Sequence, residues 1–267
     1  MSIVALLIII LIGAGAPLIA PQDPRDVQLP NRLKPPGFVD DEGRIFYLGA
    51  DPLGRDILSR LIYGARVSLV VGLSAVSISG FLGLSLGLLS GFYGGRLDDI
   101  IMRLADVQLA FPDILLYIAV LAVLGAGLDK VILVLGISGW VIFARVIRSE
   151  VLLIREQEFV MAARSIGSSD LPLILRHILP NVVPVFIVIA SFAVANNIIA
   201  EASLSFLGLG VPPSIPTWGT MLAESREYLR DAWWPVTFPG LVIMLTVFSI
   251  NILGDWLRDY LDPRSYK

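Results

Sequence analysis

Long stretches without a charged side chain are the feature of this sequence that most restricts its fold. Each of four such windows is at least as long as the roughly 20 residues that a helix needs to cross a hydrocarbon core. A mean hydropathy of +0.80 with only 16% charged residues also excludes a soluble domain, which could not bury so much apolar surface. The four windows are residues 1–22, 67–95, 177–200 and 232–254.

Two shorter windows complete the predicted set of spans. Residues 114–128 and 131–144 carry no charge, and they become full spans if residues 108–112 and 145–147 lie near the interfaces. The uncharged run 202–223 is different, because its prolines and glycines would leave backbone groups unpaired in hydrocarbon. We predict that this run is a loop and that the chain is an all-α membrane protein with six transmembrane helices.

The first apolar segment has a second interpretation. Residues 3–12, followed by Ala14-Gly15-Ala16, resemble a cleavable signal peptide. The segment lacks the Lys or Arg that precedes such a peptide and that anchors a first helix in the cytoplasm. A start codon assigned too far downstream would explain why this basic residue is missing under either interpretation. We predict a first transmembrane helix here, with the signal peptide as the alternative.

Several function classes lack the residues that they need. The chain has no cysteine and a single histidine, His177, which excludes disulfides, thiolate metal sites and histidine clusters. A net charge of −3 argues against a nucleic-acid partner. An intramembrane enzyme needs a buried nucleophile and base or a metal, and an ion-coupled transporter predicts paired acids in mid-span. The sequence offers neither set, so a transporter that depends on other subunits is favoured over a stand-alone secondary transporter.

The basic residues give the orientation only in part. With both termini in the cytoplasm, the 20 Lys and Arg residues divide equally between the two sides. The short loop 151–180 is the better reporter because it is basic near its flanking span, which favours cytoplasmic termini. The long polar segment 21–66 is then extracytoplasmic, either as a surface that meets a binding protein or as a passive cover.

The segment between the fourth and fifth predicted spans has the pattern of two short helices joined by a bend. Residues 158–166 are rich in helix formers, and Gly167 suits the left-handed position after a helix. Ser169 can cap the next helix, and Pro172 falls in its tolerant first turn. Pro180 marks the end of the pair or the bend into the next span.

Two small residues make this helical pair a candidate docking element. We expect Ala162 and Ala163 to be exposed and to allow close approach of another protein. The alternative is an amphipathic connector that lies on the membrane, with its alanines present for helix propensity. Spacing alone leaves both interpretations open.

The same stretch resembles the cytoplasmic coupling motif of binding-protein-dependent ABC importer permeases. That pattern is Glu-Ala-Ala, three residues, Gly, nine residues, Ile, one residue, Leu-Pro. Met161 stands in place of its Glu and His177 in place of its Ile, while Glu158 is the nearest acid on the same helix face. The residues that match in identity and register are Ala162, Ala163, Gly167, Leu179 and Pro180.

Further stretches are similar to the branch of this family that contains dipeptide, oligopeptide and nickel permeases. One is Gly-Ala-Asp-Pro-Leu-Gly-Arg-Asp at residues 49–56, which runs on to Ser-Arg-Leu-Ile-Tyr-Gly-Ala-Arg at 59–66. The others lie at residues 201–210 with 216–219, and at residues 254–264. The resemblance implies a permease for di- or oligopeptides in the cytoplasmic (inner) membrane, with nickel chelates or oligosaccharides as alternative solutes.

The resemblance also implies a domain order and a set of partners. The fold is that of a type I ABC importer permease: a first helix and extracytoplasmic segment (1–66), a transmembrane type-1 domain (67–256) with the coupling loop 156–180, and a cytoplasmic tail (257–267). The partners are a second homologous permease, two cytosolic ATPases, an extracytoplasmic solute-binding protein and the bilayer. ATP and Mg belong to the ATPases, and this chain has no Gly-x-x-x-x-Gly-Lys-Ser/Thr loop, no cofactor and no catalytic residue.

Two groups of residues are candidate functional sites. Polar groups within the spans are candidates for the solute path, although hydrogen bonding between helices is the alternative; they are Asn196, Asn197 and Glu201. The residues expected to couple this chain to the ATPases are Glu158, Ala162, Ala163, Arg164, Gly167, Asp170, His177, Leu179 and Pro180.

Other residues have structural interpretations. Gly72, Gly80, Gly83 and Gly87 are expected to let a second helix pack closely against the 67–92 span. Arg145 and Arg148 are expected to extend to the cytoplasmic interface.

Overall fold

The computed structural model describes residues 2–261 of the chain, so the end of the predicted tail 257–267 and of the 254–264 stretch lies outside the described residues. The fold is almost entirely helical. Its helices and strands in chain order are α1 (Ser2–Ala14), α2 (Ala16–Ile19), β1 (Phe38–Val39), β2 (Ile45–Phe46), α3 (Ile57–Tyr93), α4 (Gly95–Leu109), α5 (Asp113–Leu124), α6 (Leu128–Ser138), α7 (Trp140–Ile154), α8 (Glu158–Ser165), α9 (Asp170–Pro172), α10 (Leu179–Phe206), α11 (Trp218–Ser225) and α12 (Trp234–Leu261).

Four helical runs are long and apolar enough to cross a membrane: Ile57–Tyr93, Leu128–Ile154, Asp170–Phe206 and Trp234–Leu261. A fifth candidate is the pair α4 and α5, whose axes differ by 85°. Helix α1 has 13 residues, which is shorter than the roughly 20 residues of a full span. The described residues therefore contain four or five candidate spans.

The central helix α3 begins at Ile57, well before the charge-free window that starts at residue 67. The Asp56 carboxylate caps it by accepting a hydrogen bond from the Ser59 backbone N–H at 2.7 Å. The helix includes Arg60, which is 1% exposed and paired with acids inside the protein. The charge-free window therefore underestimated the length of this helix, because neither the buried Arg60 nor the exposed Arg66 ends it.

An amphipathic helix, α4, separates the second and third predicted spans and was not expected from the sequence. It buries Ile101 and Ala105 and exposes most of its charged residues. A proline, Pro112, follows and disfavours helical geometry at the residue before it, which accounts for the sharp bend before α5. Residues 108–112 thus form the end of α4 and the bend.

The run Ala202–Ala223 is not one loop, as we had predicted from its prolines and glycines. Helix α10 continues to Phe206, and α11 begins at Trp218 behind a capping box in which the Thr217 and Thr220 side chains each bind the other's backbone N–H. The three prolines all lie in the irregular segment between these helices, so they do not interrupt either one.

The predicted close packing against α3 is confirmed, and its main partner is α7. A methyl group on Gly83 would lie 2.3 Å from Phe143 Cβ and 2.5 Å from the Trp140 carbonyl oxygen. A methyl group on Gly87 would lie 2.7 Å from the Ala144 carbonyl oxygen. Gly72 and Gly80 face α10 instead, through Ile198, Val194 and Phe186. The glycine row of α3 therefore lets both neighbouring helices approach its backbone.

The two ends of the bundle carry different structures. At the Asp56 end, the segment that contains β1 and β2 packs with α11 and the start of α12; the Trp234 indole N–H, for example, donates to the Ala50 carbonyl at 3.3 Å. At the Tyr93 end lie α4, α8 and α9, since Arg155 donates to the Gly91 carbonyl at 2.8 Å. The predicted coupling loop and the long polar segment thus lie at opposite ends of α3.

Candidate coupling surface and solute path

Residues 158–178 form the predicted pair of short helices. After α8, Gly167 adopts φ = +91°, and its N–H donates to the Arg164 carbonyl at 3.0 Å. The Ser168 N–H donates to the Ala163 carbonyl at 3.1 Å, which completes a Schellman-type end. Ser169 then precedes α9 with an extended backbone, although its side chain makes no capping hydrogen bond. The left-handed glycine sets the angle between the two helices.

Pro180 neither ends the helical pair nor bends it sharply. Residues Asp170–Phe206 form one helical run, and the segment Leu173–Ile178, just before the proline, is a π-helix. Proline has no N–H and crowds the carbonyl of the residue four positions earlier, so a wider turn relieves the clash. The Asn181 side chain donates to the His177 carbonyl at 2.7 Å and provides an additional partner at this irregular turn.

The expectation that both alanines are exposed is wrong for one of them. Ala162 is exposed, but Ala163 is 7% exposed and faces the protein. Adjacent residues of a helix point in different directions, so α8 cannot expose both alanines on one surface. Ala163 instead belongs to a hydrophobic cluster with residues of α3, α7, α8 and α10. The buried members are Leu88, Phe92, Ile147, Val151, Val160, Ala163, Leu173, Ile174, Ile178 and Val182.

The outer face of α8 and its turn is both apolar and exposed. Phe159 is 45% exposed, Met161 50% and Ile166 87%. We call this face, together with Glu158 and Ala162, the coupling surface. Of the other predicted coupling residues, Arg164, Gly167, Asp170 and Pro180 are exposed, while His177 and Leu179 are half-buried. The His177 ring lies 6.4 Å from the Phe159 ring.

Two arginine side chains connect the loop to the ends of the long helices. The Arg164 guanidinium lies 5.6 Å from the centre of the Phe92 ring, at the end of α3. Arg155, just after α7, donates to the Gly91 carbonyl. These contacts join the coupling surface to α3 and α7, so a force applied to α8 reaches the ends of both helices.

Arg145 and Arg148 bind acids on α4, whereas we had expected them to extend to the interface. Arg148 donates two hydrogen bonds to the Asp98 carboxylate, which also accepts one from Ser90. Arg145 pairs with Asp106. This role could not be predicted without α4 as a helix, although charged residues recur every three or four positions along that segment.

The candidate path residues occupy two different environments. Glu201 is fully buried; Ser205 donates to one of its oxygens at 2.8 Å, and the Ser68 hydroxyl lies 3.5 Å from the other. Asn196 is exposed and Asn197 half-buried on α10. Glu201 thus makes one hydrogen bond within α10 and one long contact with α3, while the two asparagines are accessible.

Three charged residues of the 49–66 stretch belong to a buried ionic cluster at the Asp56 end of the bundle. Arg55 and Arg60 each pair with both Asp51 and Glu224, and Glu224 comes from α11. Asp51 also accepts hydrogen bonds from the Leu53 and Arg55 backbone N–H groups. We call these four side chains the ionic cluster. It ties the start of α3 to α11 across more than 160 residues of sequence.

Burial raises the pKa of the neighbouring Asp56 carboxyl, even though Ser59 donates two hydrogen bonds to it. The cost of holding this carboxylate away from water exceeds the benefit of those bonds.

Comparison with known proteins gives one consistent result. Residues 83–266 match the family model of the binding-protein-dependent transport system inner membrane component. The chain is 44% identical to the di/tripeptide transport system permease protein DppC of Pseudomonas aeruginosa (strain UCBPP-PA14), over 97% of this chain and 86% of that one. It is 47% identical to the glutathione transport system permease protein GsiD of Escherichia coli O6:K15:H31 (strain 536 / UPEC), over 82% and 72%.

One solved structure has the same fold. It is an inward-facing conformation of the MetNI methionine ABC transporter, with a TM-score of 0.64 and 16% identity over 77% of this chain and 98% of that one.

Proposed function

Because this chain belongs to the family of binding-protein-dependent transport system inner membrane components, a multi-pass permease family, we propose that it moves di- or oligopeptides across the inner membrane. The chain itself is a transport subunit and not an enzyme, and the family implies ATPase and substrate-binding partners. The finer proposal is that two ATPases drive it beside a second homologous permease. ATP and Mg would bind to the ATPases, and no cofactor to this chain.

The coupling surface is the single observation that carries the mechanism. It presents apolar side chains to the outside on a short helix, and its other face packs on α3, α7 and α10. An apolar patch with a rigid base is typical of a protein docking site. When ATP closes the two ATPases on each other, each would carry a docked loop with it, and the attached helices would tilt and switch the accessible side of the pore.

We propose a six-span topology with both termini and the coupling surface in the cytoplasm. The spans would be α1 with α2, α3, the α4–α5 pair, α6 with α7, α10 and α12. The opposite positions of the 156–180 loop and the 21–56 segment along α3 support it, since these two regions then lie on different sides of the membrane. Segment 21–56 would face the solute-binding protein.

Single-cysteine labelling tests the orientation directly, because the chain has no cysteine of its own. In intact cells, Ile166→Cys is expected to resist a membrane-impermeant maleimide and to react fully once the inner membrane is opened. Glu42→Cys, on the turn between β1 and β2, is the matched control and is expected to react in intact cells. Labelling of Ile166→Cys from outside would overturn the proposed topology.

The solute assignment rests on the names of the relatives, which include dipeptide, di/tripeptide and glutathione permeases. We expect this chain, expressed in place of DppC in the di/tripeptide importer of Pseudomonas aeruginosa, to restore uptake of a labelled dipeptide. Excess unlabelled dipeptide should compete, whereas glutathione, a nickel chelate or an oligosaccharide should not.

The same assay separates ATP-driven transport from transport driven by an ion gradient. Collapse of the proton gradient at constant ATP should leave dipeptide uptake intact, and depletion of ATP should abolish it. Uptake that follows the proton gradient would contradict the proposed mechanism, and restored uptake of labelled glutathione without uptake of labelled dipeptide would reassign the solute.

A further inference from the structure

A deep apolar groove lies between four helices near the Asp56 end. Its volume is about 530 Å³, within the roughly 300–1,000 Å³ of small-molecule sites. Gly13 and Ala14 line it at one end, and Leu253 lines it further along the bundle. Apart from one arginine and one serine, the lining side chains are apolar. The main apolar contributors are Leu6 and Ile10 of α1, Leu69 and Leu73 of α3, Val194 of α10 and Ile250 of α12.

Among the residues that the structure describes, Arg66 is the only charged one that lines this groove. Its side chain is exposed, and it makes no hydrogen bond, ion pair or ring contact with any residue that the structure describes. This contrasts with Arg60, six positions earlier, which is buried and paired with two acids. A guanidinium beside a hydrocarbon groove therefore has no partner among residues 2–261, although it has five N–H donors.

Arg66 directly precedes the charge-free window 67–95, which puts it at the edge of the hydrocarbon core, and the length of α3 agrees with this position. The helix has 37 residues and is about 55 Å long, so about 13 Å extends beyond each side of a 30 Å hydrocarbon core if the helix is centred. Arg66 lies nine residues after Ile57, which is again about 13 Å along the helix. The groove runs from this level toward the bilayer centre, since Leu73 and Leu6 line its deeper part.

The groove lies on the other side of α10 from Asn196, the exposed candidate for the solute path, and Asn197 does not line it either. On α10 it is lined by Ser191 and Val194, whereas Asn196 is two residues beyond Val194 and points about 200° around the helix. An occupant of the groove is therefore separated from the exposed asparagine by the body of α10. This separation favours the bilayer over the transported solute as the source of the occupant.

We propose that the groove binds one anionic phospholipid, with an acyl chain between α1 and α3 and its phosphate on Arg66. The apolar lining matches the chain, and the unpartnered guanidinium at headgroup depth matches the phosphate. A lipid with net negative charge is selected over a zwitterionic one, because none of the described residues that line the groove is an acid that could bind an amine headgroup. The bound lipid would connect α1 to the rest of the bundle.

Native mass spectrometry of the assembled importer, purified from nanodiscs with equal phosphatidylglycerol and phosphatidylethanolamine, tests the proposal. Wild-type complex is expected to retain one phosphatidylglycerol at this chain in preference to phosphatidylethanolamine. Arg66→Gln should lower that retention about fivefold, the equivalent of the roughly 1 kcal/mol that one basic residue contributes beside anionic lipid. Arg66→Lys should retain most of it.

Two further variants make the result specific to the groove. Val70→Trp, which fills the groove from α3 without touching the charge, should abolish retention of the lipid. Arg230→Gln removes an exposed arginine that does not line the groove and should change nothing. The proposal is overturned if wild-type complex retains no lipid, if both lipids are retained equally, or if Arg66→Gln retains phosphatidylglycerol as wild type does.

Discussion

Replacing Gly167 with proline is expected to abolish ATP-driven dipeptide uptake while the chain still inserts and assembles in the membrane. Gly167 has φ = +91°, whereas the proline ring fixes φ near about −65°. The substitution also removes the N–H that donates to the Arg164 carbonyl. No atom of the described part of the chain lies within 4 Å of a methyl group placed at this position, so the effect arises from the backbone and not from crowding. Both short helices then lose their fixed angle.

The matched control is Gly43→Pro in the turn between β1 and β2. Gly43 also has positive φ, +77°, open space around it and an N–H that donates to a turn carbonyl, that of Asp40. It undergoes the same chemical change at the opposite end of the bundle, and uptake should persist. Gly167→Ala should be intermediate, because a left-handed L-residue costs about 1–2 kcal/mol. Normal uptake by Gly167→Pro would refute the coupling role of this loop.

The backbone of the coupling loop could be predicted from sequence because its signals are local. A glycine after a helix, a serine before the next and a proline in the first turn each act within a few residues, and the structure has the bend at Gly167. The burial of Ala163 could not be predicted, because it depends on α3, α7 and α10, which are distant in sequence. The sequence located the loop but not the face it presents.

The charge-free windows predicted the apolar middle of each span but not the residues at which the helices begin and end. The start of α3 was placed too late because the charges of Arg60 and Arg66 were taken to end the span, whereas both residues lie within the helix and Arg60 is paired with acids on other segments. The amphipathic helix α4 was missed for a related reason, since its charges resemble those of a loop. Its three-to-four-residue charge spacing was present in the sequence and would have indicated a helix.

The glycine row was interpreted correctly because spacing along a helix determines which residues share a face. The partner was not predictable, since α7 and α10 both contact α3 and only the fold distributes Gly83 and Gly72 between them. The environment of Glu201 was unpredictable for the same reason. The sequence shows a polar residue within a span, but its hydroxyl partner Ser68 lies 133 residues away and is brought near only by the fold.

Loss of Arg60 is expected to cause a large loss of stability. The ionic cluster contains two arginines and two acids, so it is neutral, and Arg60 and Asp51 are each 1% exposed. Arg60→Met leaves an uncompensated negative charge away from water, which costs about 3–5 kcal/mol. We expect the thermal unfolding midpoint of the detergent-purified complex to fall by roughly 10 °C.

Arg44→Met is the matched control, because Arg44 also binds acids but is itself one-third exposed, and the one buried acid among them, Asp40, keeps its two backbone hydrogen bonds after the substitution. Its side chain is 34% exposed and pairs with Asp40, Asp26 and Glu42, an arrangement worth at most about 1 kcal/mol. Adding Glu224→Gln to Arg60→Met restores a neutral cluster and should recover part of the lost stability. If the two single arginine variants unfold at the same temperature, charge compensation inside the cluster is not what joins α3 to α11.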